Sequence, residues 1–285
     1  MRWKDGRRSF NILDKRGIRL SGKTKGGGIG ILVVALIAMY FGIDPSFILQ
    51  QGDLLNGTSH ENSAYTPTES ENEQADFVSV VLANTEDTWG AIFKEYGQTY
   101  QQPELVLFTG EVESACGYAQ AATGPFYCPA DQQVYIDLSF FQELRNRLDA
   151  PGDFAQAYVV AHEIGHHIQK LTGISDQVHA KRQTLSKVAY NKLSVRLELQ
   201  ADCLAGVWAH HADKMQNILE PGDTKEALHA AAMIGDDRLQ KQGRGYVVPD
   251  SFTHGSSSQR VKWFRQGFDS GDMQTCDTFN SSTSL

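Results

Sequence analysis

The five residues His162-Glu163-Ile164-Gly165-His166 combine two metal-binding side chains with one proton acceptor. The two histidines are four positions apart, so on a helix their imidazoles project from the same face. That spacing lets two ring nitrogens reach one ion at the distances that zinc requires. Zinc lowers the pKa of a bound water, and Glu163 can accept the proton of that water without being a ligand. The pattern therefore predicts a zinc site that activates water for attack on a carbonyl.

A pattern of this length also occurs by chance, on surface helices whose His and Glu side chains only increase solubility. The flanking residues favour the catalytic interpretation, because the apolar stretch 158–161 precedes the motif and Gly165 allows close approach. A solvated surface helix would not need such a stretch. His167 lies on a different helical face from His166, so it is not expected to be a ligand. Solvent-facing or core positions are expected for His179, His210, His211 and His229.

A catalytic zinc ion has three protein ligands and one open position, so a third ligand must come from elsewhere in the chain. Glu198 and Asp202 share one face of a predicted helix that is otherwise largely apolar. Two carboxylates on such a face are costly unless they are paired or coordinated. We expect Glu198 to be the third ligand and Asp202 to accept the second N–H of a ligand histidine. The alternatives are an ordinary solvated acid pair here, or a role for Asp236 and Asp237, for which a cap or salt bridge is an equal explanation.

The elements that must position these residues are mostly helices. Asp153 is expected to start the zinc-binding helix, with Gln156 completing a capping box, and Gly173 to end it. Apolar periodicity predicts further helices at 76–96, 176–190, 194–211, 224–242 and 256–266. Strands are expected at 105–108 and 133–139. The predicted fold class is α+β, predominantly helical, with a small sheet. Within that sheet, 134–138 is either an edge strand that aligns a peptide or a purely structural strand.

The N-terminal part of the chain has the pattern of a membrane anchor. Residues 1–25 contain nine Lys or Arg and only two acidic side chains, and the apolar run at 29–43 reaches 18 residues with 26–28. That length is near the lower limit for a spanning helix. A cleaved signal peptide has a similar apolar core, but the leader here is long and no clear A-x-A site follows. A buried core helix fits poorly, since polar sequence flanks both sides.

We therefore expect a basic cytoplasmic leader at 1–25, a transmembrane anchor at 26–43 and a flexible linker at 44–74. The zinc domain then covers 75–285. The positive-inside rule predicts a single-pass protein of the cytoplasmic (inner) membrane, with this domain on the periplasmic side. The chain carries a formal net charge of −8, and most of its acidic residues follow the basic leader. Because nucleic acids need a basic binding face, no nucleic-acid partner is expected.

Four cysteines are present, and no CxxC pair occurs, which argues against a Cys-rich structural zinc site. Cys116 and Cys128 bracket a short loop that contains glycine and proline. An even number of cysteines in a chain sent across a membrane favours two disulfides. By elimination the second would join Cys203 to Cys276. Four separate reduced thiols are the alternative.

The motif 162–166 with its downstream Glu198-Leu-Gln-Ala-Asp202 resembles the gluzincin arrangement. The wider sequence resembles a bacterial family of neutral zinc metallopeptidases over roughly residues 75–280. The matching stretches are 115–118, 126–129, 134–138, the zinc motif with His167 and Gln169, 198–206, 236–238 and 253–254. The resemblance implies a zincin-like domain, a zinc cofactor and peptide hydrolysis.

A second resemblance concerns Thr253-His254 followed by Arg260, which is similar to the T-H-P-x-x-x-x-R segment of membrane-associated gluzincins. In those proteins the His and Arg lie near the substrate carbonyl and stabilise the oxyanion. The resemblance implies catalytic roles for His254 and Arg260, although Gly255 stands where that motif has proline. The alternative is that His254 is a loop residue and Arg260 a charge on a helix surface.

Two functions follow from these observations. The first is a zinc peptidase that cuts a peptide or protein substrate, with zinc at His162, His166 and Glu198 and with Glu163 as base. The second is a catalytically silent, zinc-stabilised envelope protein that acts as a binding partner or scaffold. The set of three ligands and a base favours the peptidase, since a scaffold would not require Glu163.

Overall fold

Helices account for most of the regular structure of this protein. They are seen in a computed structural model that describes residues 1–18, 65–280 and 285. They are α1 (Glu69–Glu95), α2 (Ser139–Asn146), α3 (Asp153–Leu171), α4 (Ile174–Ala180), α5 (Lys187–Gln216), α6 (Asp223–Met233), α7 (Asp236–Arg244) and α8 (Ser257–Ser270). Most of α3 is buried on all sides, and the middle of α5 is buried as well. A helix that is apolar around its circumference belongs in a core, so these two helices lie at the centre of the fold.

A four-stranded sheet packs beside the helices. Its strands and those of a separate hairpin are β1 (Ile12–Asp14), β2 (Glu104–Phe108), β3 (Glu111–Ser114), β4 (Gly117–Gln120), β5 (Phe126–Cys128) and β6 (Gln133–Asp137). The sheet order is β1-β2-β6-β5, with β1, β2 and β6 parallel and β5 antiparallel, while β3 and β4 form the hairpin. The predicted fold class is therefore correct in being predominantly helical with a small sheet. Because β6 pairs on both sides, the hypothesis that 134–138 is an edge strand is wrong; β5 lies at the edge.

Two of the predicted helices are interrupted. The helix expected at 224–242 is divided into α6 and α7 at Gly235, where an added Cβ would lie 2.6 Å from Ser257 Oγ. Only glycine permits this approach of α8, which sequence periodicity does not reveal. The helix expected at 176–190 ends at Ala180, and a new helix begins after Ser186, whose hydroxyl accepts a hydrogen bond from Ala189 N. The capping box expected at Asp153 is also absent, since Gly152 is the N-cap and makes no side-chain cap bond.

The first 18 residues belong to the same compact unit as residues 67–285. The Met1 ammonium is buried and lies 2.6 Å from Asp153 Oδ1, at the start of α3. Strand β1 pairs with β2, with Ile12 opposite Leu105. Farther along, Arg7 donates a hydrogen bond of 2.8 Å to the buried carboxylate of Glu86. These residues are thus part of the domain, whereas the sequence analysis assigned them to a separate leader.

The transmembrane part of the predicted fold class must be corrected. Within residues 1–18, 65–280 and 285, no helix has both the length and the apolar character needed to cross a bilayer. The predicted anchor at 26–43 and most of the predicted linker at 44–74 lie outside the described residues. The prediction of a single-pass protein of the inner membrane is therefore corrected to what the described residues show, which is a domain without a spanning helix among them.

Glycines set the spacing of the central helices. An added Cβ on Gly165 would lie 2.9 Å from the carbonyl oxygen of Ala201, so α3 and α5 approach backbone to backbone. Gly206 of α5 and Gly267 of α8 permit an equally close approach, because a Cβ on either would overlap the other helix's backbone. Close approach of this kind requires the absence of a side chain. As a result α3, α5 and α8 meet around a single buried region.

Both predicted disulfides are confirmed. Cys116 is bonded to Cys128, and Cys203 is bonded to Cys276. The first ties the hairpin to β5. The second ties α5 to the segment that follows α8.

Candidate metal centre

Two facing helices bring three candidate ligands together. His162 and His166 project from one face of α3, and Glu198 projects toward them from α5. Glu198 Oε2 lies 3.2 Å from His162 Nε2, and Glu198 Oε1 lies 3.5 Å from His166 Nε2. One ligand atom from each of the three residues lies within 4.8 Å of the others. This is the arrangement of side chains that can share one ion.

The other ring nitrogens of the two histidines are held by hydrogen-bond acceptors. His162 Nδ1 lies 2.9 Å from Asp202 Oδ1, and His166 Nδ1 lies 2.9 Å from Gln169 Oε1. Because a carboxylate and an amide oxygen only accept, each Nδ1 carries a proton and each Nε2 is left to bind a metal. Two imidazole nitrogens and one carboxylate are a donor set that suits zinc. The residues at this site therefore fit a zinc ion.

Asp202 lies at the centre of a buried polar cluster behind the candidate ligands. Its side chain is 0% exposed, and its two oxygens accept hydrogen bonds of 2.8 and 2.9 Å from Nε and Nη2 of Arg260. Tyr158 donates a further bond of 2.5 Å to Oδ1. Burial raises the pKa of Asp202, but Arg260 and His162 lower it more, to about 2. Asp202 is thus an ionised acceptor for His162 at every ordinary pH.

The candidate ligands form a charged group in the metal-free protein. Burial lowers the pKa of His166, but Glu198 and the other nearby acceptors raise it more, to about 9. Burial raises the pKa of Glu198, but His166 and His254 lower it well below its ordinary value. His166 and Glu198 thus favour each other's charged form, and a metal ion at this site would compete with the proton of His166.

Glu163 directly follows His162 in α3, and it lines the same cleft as the candidate ligands. The cleft has a volume of about 430 Å³. Apart from the polar centre its wall is largely aromatic and aliphatic, formed by Phe126, Tyr127, Phe140, Leu148, Ile234 and Leu239. Two of these residues belong to the edge strand β5. A carboxylate beside a metal site in an apolar cleft is suited to accept a proton from water.

His254 reaches this cleft from the loop before α8. The loop is organised by Asp236, whose Oδ2 accepts backbone N–H bonds from Thr253, His254 and Gly255 at 2.7, 2.7 and 3.0 Å. Asp236 Oδ1 also lies 3.3 Å from His254 Nδ1. The charge of Glu198 raises the pKa of His254, and burial opposes this. Asp236, considered at first only as an alternative acid, holds the loop and the imidazole together.

Gly255 and Arg260 differ from the arrangement that the T-H-P segment implies. Gly255 has a φ of +94°, which proline cannot adopt, so the loop geometry of that motif is not available here. Arg260 lines the cleft but is only 3% exposed, and its guanidinium is bonded to Asp202 and Tyr158. The structure therefore places Arg260 behind the candidate ligands rather than on the path of a substrate.

Comparison with known proteins agrees with this geometry. The model of one protein family, described as "Putative neutral zinc metallopeptidase", matches residues 1–279. The chain belongs to this family. It is 50% identical to the uncharacterized protein YpfJ of Escherichia coli strain K12, over 99% of this chain and 100% of that protein. It is 39% identical to the uncharacterized protein Rv2575 of Mycobacterium tuberculosis strain H37Rv, over 86% of this chain and 85% of that protein. No solved structure matches it.

Membership in the zinc metallopeptidase family confirms the predicted family and supports zinc as the metal for the His and Glu cluster. The match begins at residue 1, so it includes the N-terminal segment that packs against α3. The roles of the individual residues are not part of that match and stay predictions.

The positions of four polar residues in or beside the candidate site were not predicted from the sequence. Tyr158 precedes His162 by one helical turn and Gln169 follows His166 by one, so both share the motif's face; this spacing was available as a signal. Gln200 lies two positions after Glu198 and carried no such signal. His179 is exposed, as expected, and it also lines the cleft, where partial burial lowers its pKa.

Proposed function

We propose that this protein is a zinc-dependent peptidase that hydrolyses peptide bonds in peptide or protein substrates. The proposal rests on one observation. The same cleft contains two histidines and a glutamate that can bind a metal, and also a second carboxylate, that of Glu163, which is not one of these three candidate ligands. His162, His166 and Glu198 would hold the metal, and Glu163 is the fourth group. The alternative of a silent scaffold gains no support from the cleft, because holding a metal needs no fourth acidic group there.

A zinc ion at this site would supply a Lewis acid for the substrate carbonyl and would acidify a water molecule. Glu163 accepts the proton of the attacking water and returns it to the leaving amine. His254, which lines the cleft, donates a hydrogen bond to the oxygen on which negative charge develops. Asp236 orients His254, and Asp202 fixes the imidazole of His162. Arg260 acts as a positioning residue through Asp202.

The cleft also supports a choice between cutting inside a chain and trimming its ends. Among the described residues, the cation lining the cleft besides the histidines is Arg260, which is bonded to Asp202. No lysine is placed there to bind a terminal carboxylate. The aromatic and aliphatic wall favours an apolar side chain next to the bond that is cut. The proposed activity is therefore that of an endopeptidase with a preference for apolar residues.

The edge strand β5 supplies a way to hold such a substrate. It pairs with β6 on one side, and its residues Phe126 and Tyr127 line the cleft. An extended peptide can add to a sheet edge through main-chain hydrogen bonds, while pockets select its side chains. The same mode was considered for 134–138, but those residues lie inside the sheet.

The substitution Glu163→Gln tests the proposal, because it removes the proton acceptor and keeps the shape of the side chain. We expect the variant to bind zinc in the same stoichiometry as the unchanged protein and to lose hydrolysis of a denatured protein by at least about 100-fold. Glu95→Gln, an exposed carboxylate at the end of α1, is the matched control and should be fully active. Unchanged activity of Glu163→Gln would contradict the role of Glu163 as the base. Absence of zinc from the unchanged protein would contradict the proposed zinc site.

A further inference from the structure

A chain of buried side-chain amides leads from the candidate ligand His166 to a disulfide. Gln169 Oε1 accepts from His166 Nδ1 at 2.9 Å, and Gln169 Nε2 donates to Gln200 Oε1 at 3.1 Å. Gln200 Nε2 in turn donates to the carbonyl oxygen of Cys276 at 3.0 Å. Cys276 is bonded to Cys203, which lies one helical turn after Gln200 on α5.

The chain has one consistent direction. Gln169 Nε2 also donates to the carbonyl of Leu197 at 2.7 Å, so its amide cannot be reversed without setting two oxygens against each other. Gln200 is fixed in the same way by the Cys276 carbonyl. The direction leaves the proton of His166 on Nδ1 and its Nε2 toward the cleft. Since Leu197 precedes Glu198, Gln169 holds both an imidazole and the backbone beside the carboxylate that faces it.

These groups are removed from water. Gln169 is 0% exposed and Gln200 is 6% exposed, and the two cysteines are buried as well. A buried amide that loses its partner cannot turn to solvent, so it either stays unsatisfied, which is unfavourable, or forces its neighbours to move. The Cys276 carbonyl also accepts the Thr278 backbone N–H at 2.9 Å, and its bond to Gln200 is the one that connects it, through Gln169, to His166.

We propose that Gln169 and Gln200 are positioning residues that link the zinc site to the Cys203–Cys276 disulfide, so that reduction of this disulfide weakens zinc binding. In this reduction a dithiol reductant supplies two electrons and two protons, the Cys203–Cys276 bond becomes two thiols, and the reductant is oxidised to its own disulfide. The inference rests on the proposed zinc site but not on peptide hydrolysis. The Arg196 guanidinium donates a hydrogen bond to the Thr278 carbonyl oxygen, and the Arg196 backbone carbonyl oxygen accepts one from the Thr278 hydroxyl at 2.6 Å. These bonds give the segment around Cys276 a second attachment to α5. Breaking the disulfide should therefore shift the Cys276 carbonyl without unfolding the domain.

The two disulfides of the chain provide a matched comparison. The zinc dissociation constant of the full chain is measured by competition with a chelator, for Cys203→Ser/Cys276→Ser and for Cys116→Ser/Cys128→Ser. Loss of a supporting partner of a metal ligand weakens binding by roughly 10–100-fold. We expect the zinc dissociation constant to rise roughly tenfold for Cys203→Ser/Cys276→Ser and to stay unchanged for Cys116→Ser/Cys128→Ser. Equal dissociation constants for both pairs would overturn the proposal, whereas a protein that binds no zinc at all would instead refute the site.

The route through the amides is tested by a double-mutant cycle. Gln200→Met keeps the size of the side chain and both disulfides, and it should weaken zinc binding by roughly tenfold. Combining it with Cys203→Ser/Cys276→Ser should add nothing further, because the disulfide acts through Gln200. Multiplication of the two effects would show independent actions and overturn the link. If the cysteine variant does not fold, Gln200→Met alone decides the test. A normal zinc affinity of this variant would overturn the link, and a weakened affinity would support it.

Discussion

Replacement of Arg260 distinguishes a positioning role from a catalytic one. Arg260→Met keeps the length and apolar part of the side chain but removes both hydrogen bonds to Asp202. The carboxylate of Asp202 is 0% exposed, so water cannot replace them. If Arg260 instead contacted the substrate, the substitution would lower turnover and leave the stability of the metal-free protein unchanged.

The size of the effect follows from the burial of the pair. Removing one partner of a buried ion pair costs about 3–5 kcal/mol, since the other charge is left uncompensated. The pKa of Asp202 is lowered from its ordinary 3.8 to about 2, which corresponds to about 2 kcal/mol of stability from ionised Asp202. A lowered pKa gives stability that is present above about pH 4 and is lost as the pH falls toward 2. Arg260→Met should remove most of this acid-dependent loss.

Urea denaturation of the metal-free protein, followed by tryptophan fluorescence, measures these quantities. Arg260→Met should lose about 3–5 kcal/mol, and Arg265→Met, an exposed arginine of the same helix, less than about 0.5 kcal/mol. Adding Asp202→Leu to Arg260→Met should recover part of the loss, because no buried charge then remains unpaired. A loss below about 1 kcal/mol for Arg260→Met, together with abolished turnover, would contradict the positioning role and support contact with the substrate.

Three further predictions concern the cleft, the helix contact and the protons of the site. Leu239→Glu, in the cleft wall, should reduce cleavage next to apolar residues by roughly tenfold. Met215→Glu, at another exposed position that does not line the cleft, should leave cleavage unchanged. Equal peptide profiles for the two variants would contradict the apolar preference. Gly165→Ala should lower the free energy of unfolding by about 1–3 kcal/mol, because the added methyl group forces α3 and α5 apart, and it should weaken zinc binding. Gly90→Ala is the control, since nothing lies within 4 Å of a Cβ added there, and it should not destabilise the protein. Unchanged urea midpoints for both variants would refute the close contact. Because the pKa of His166 is raised to about 9 in the metal-free protein, zinc binding near pH 7 should release about one or two protons and should become tighter as the pH rises toward 9. Calorimetry in buffers of different ionisation enthalpy measures the number of protons released. Binding without proton release would show that the imidazoles are already neutral.

Features set by short-range geometry could be predicted from the sequence. The four-residue spacing of His162 and His166 places them on one face of any helix, because helix periodicity depends only on backbone hydrogen bonds. The same periodicity put Glu198 and Asp202 on one face of a second helix. The strands predicted at 105–108 and 133–139 are present as β2 and β6, although β6 ends at Asp137; alternation of apolar and polar residues is a local pattern as well.

The tertiary structure decided how these elements meet. Whether Glu198 reaches the histidines depends on the contact at Gly165, and the role of Arg260 depends on its position against Asp202, 58 residues away in the chain. The break at Gly235 and the packing of residues 1–18 against the rest of the domain likewise arise from contacts between distant segments. Such contacts depend on the packing of many side chains at once, which no local pattern encodes. The sequence by itself determined which residues can hold a metal and accept a proton. Packing of α3, α5 and α8 decided which of them meet in the cleft and which hold the others in place.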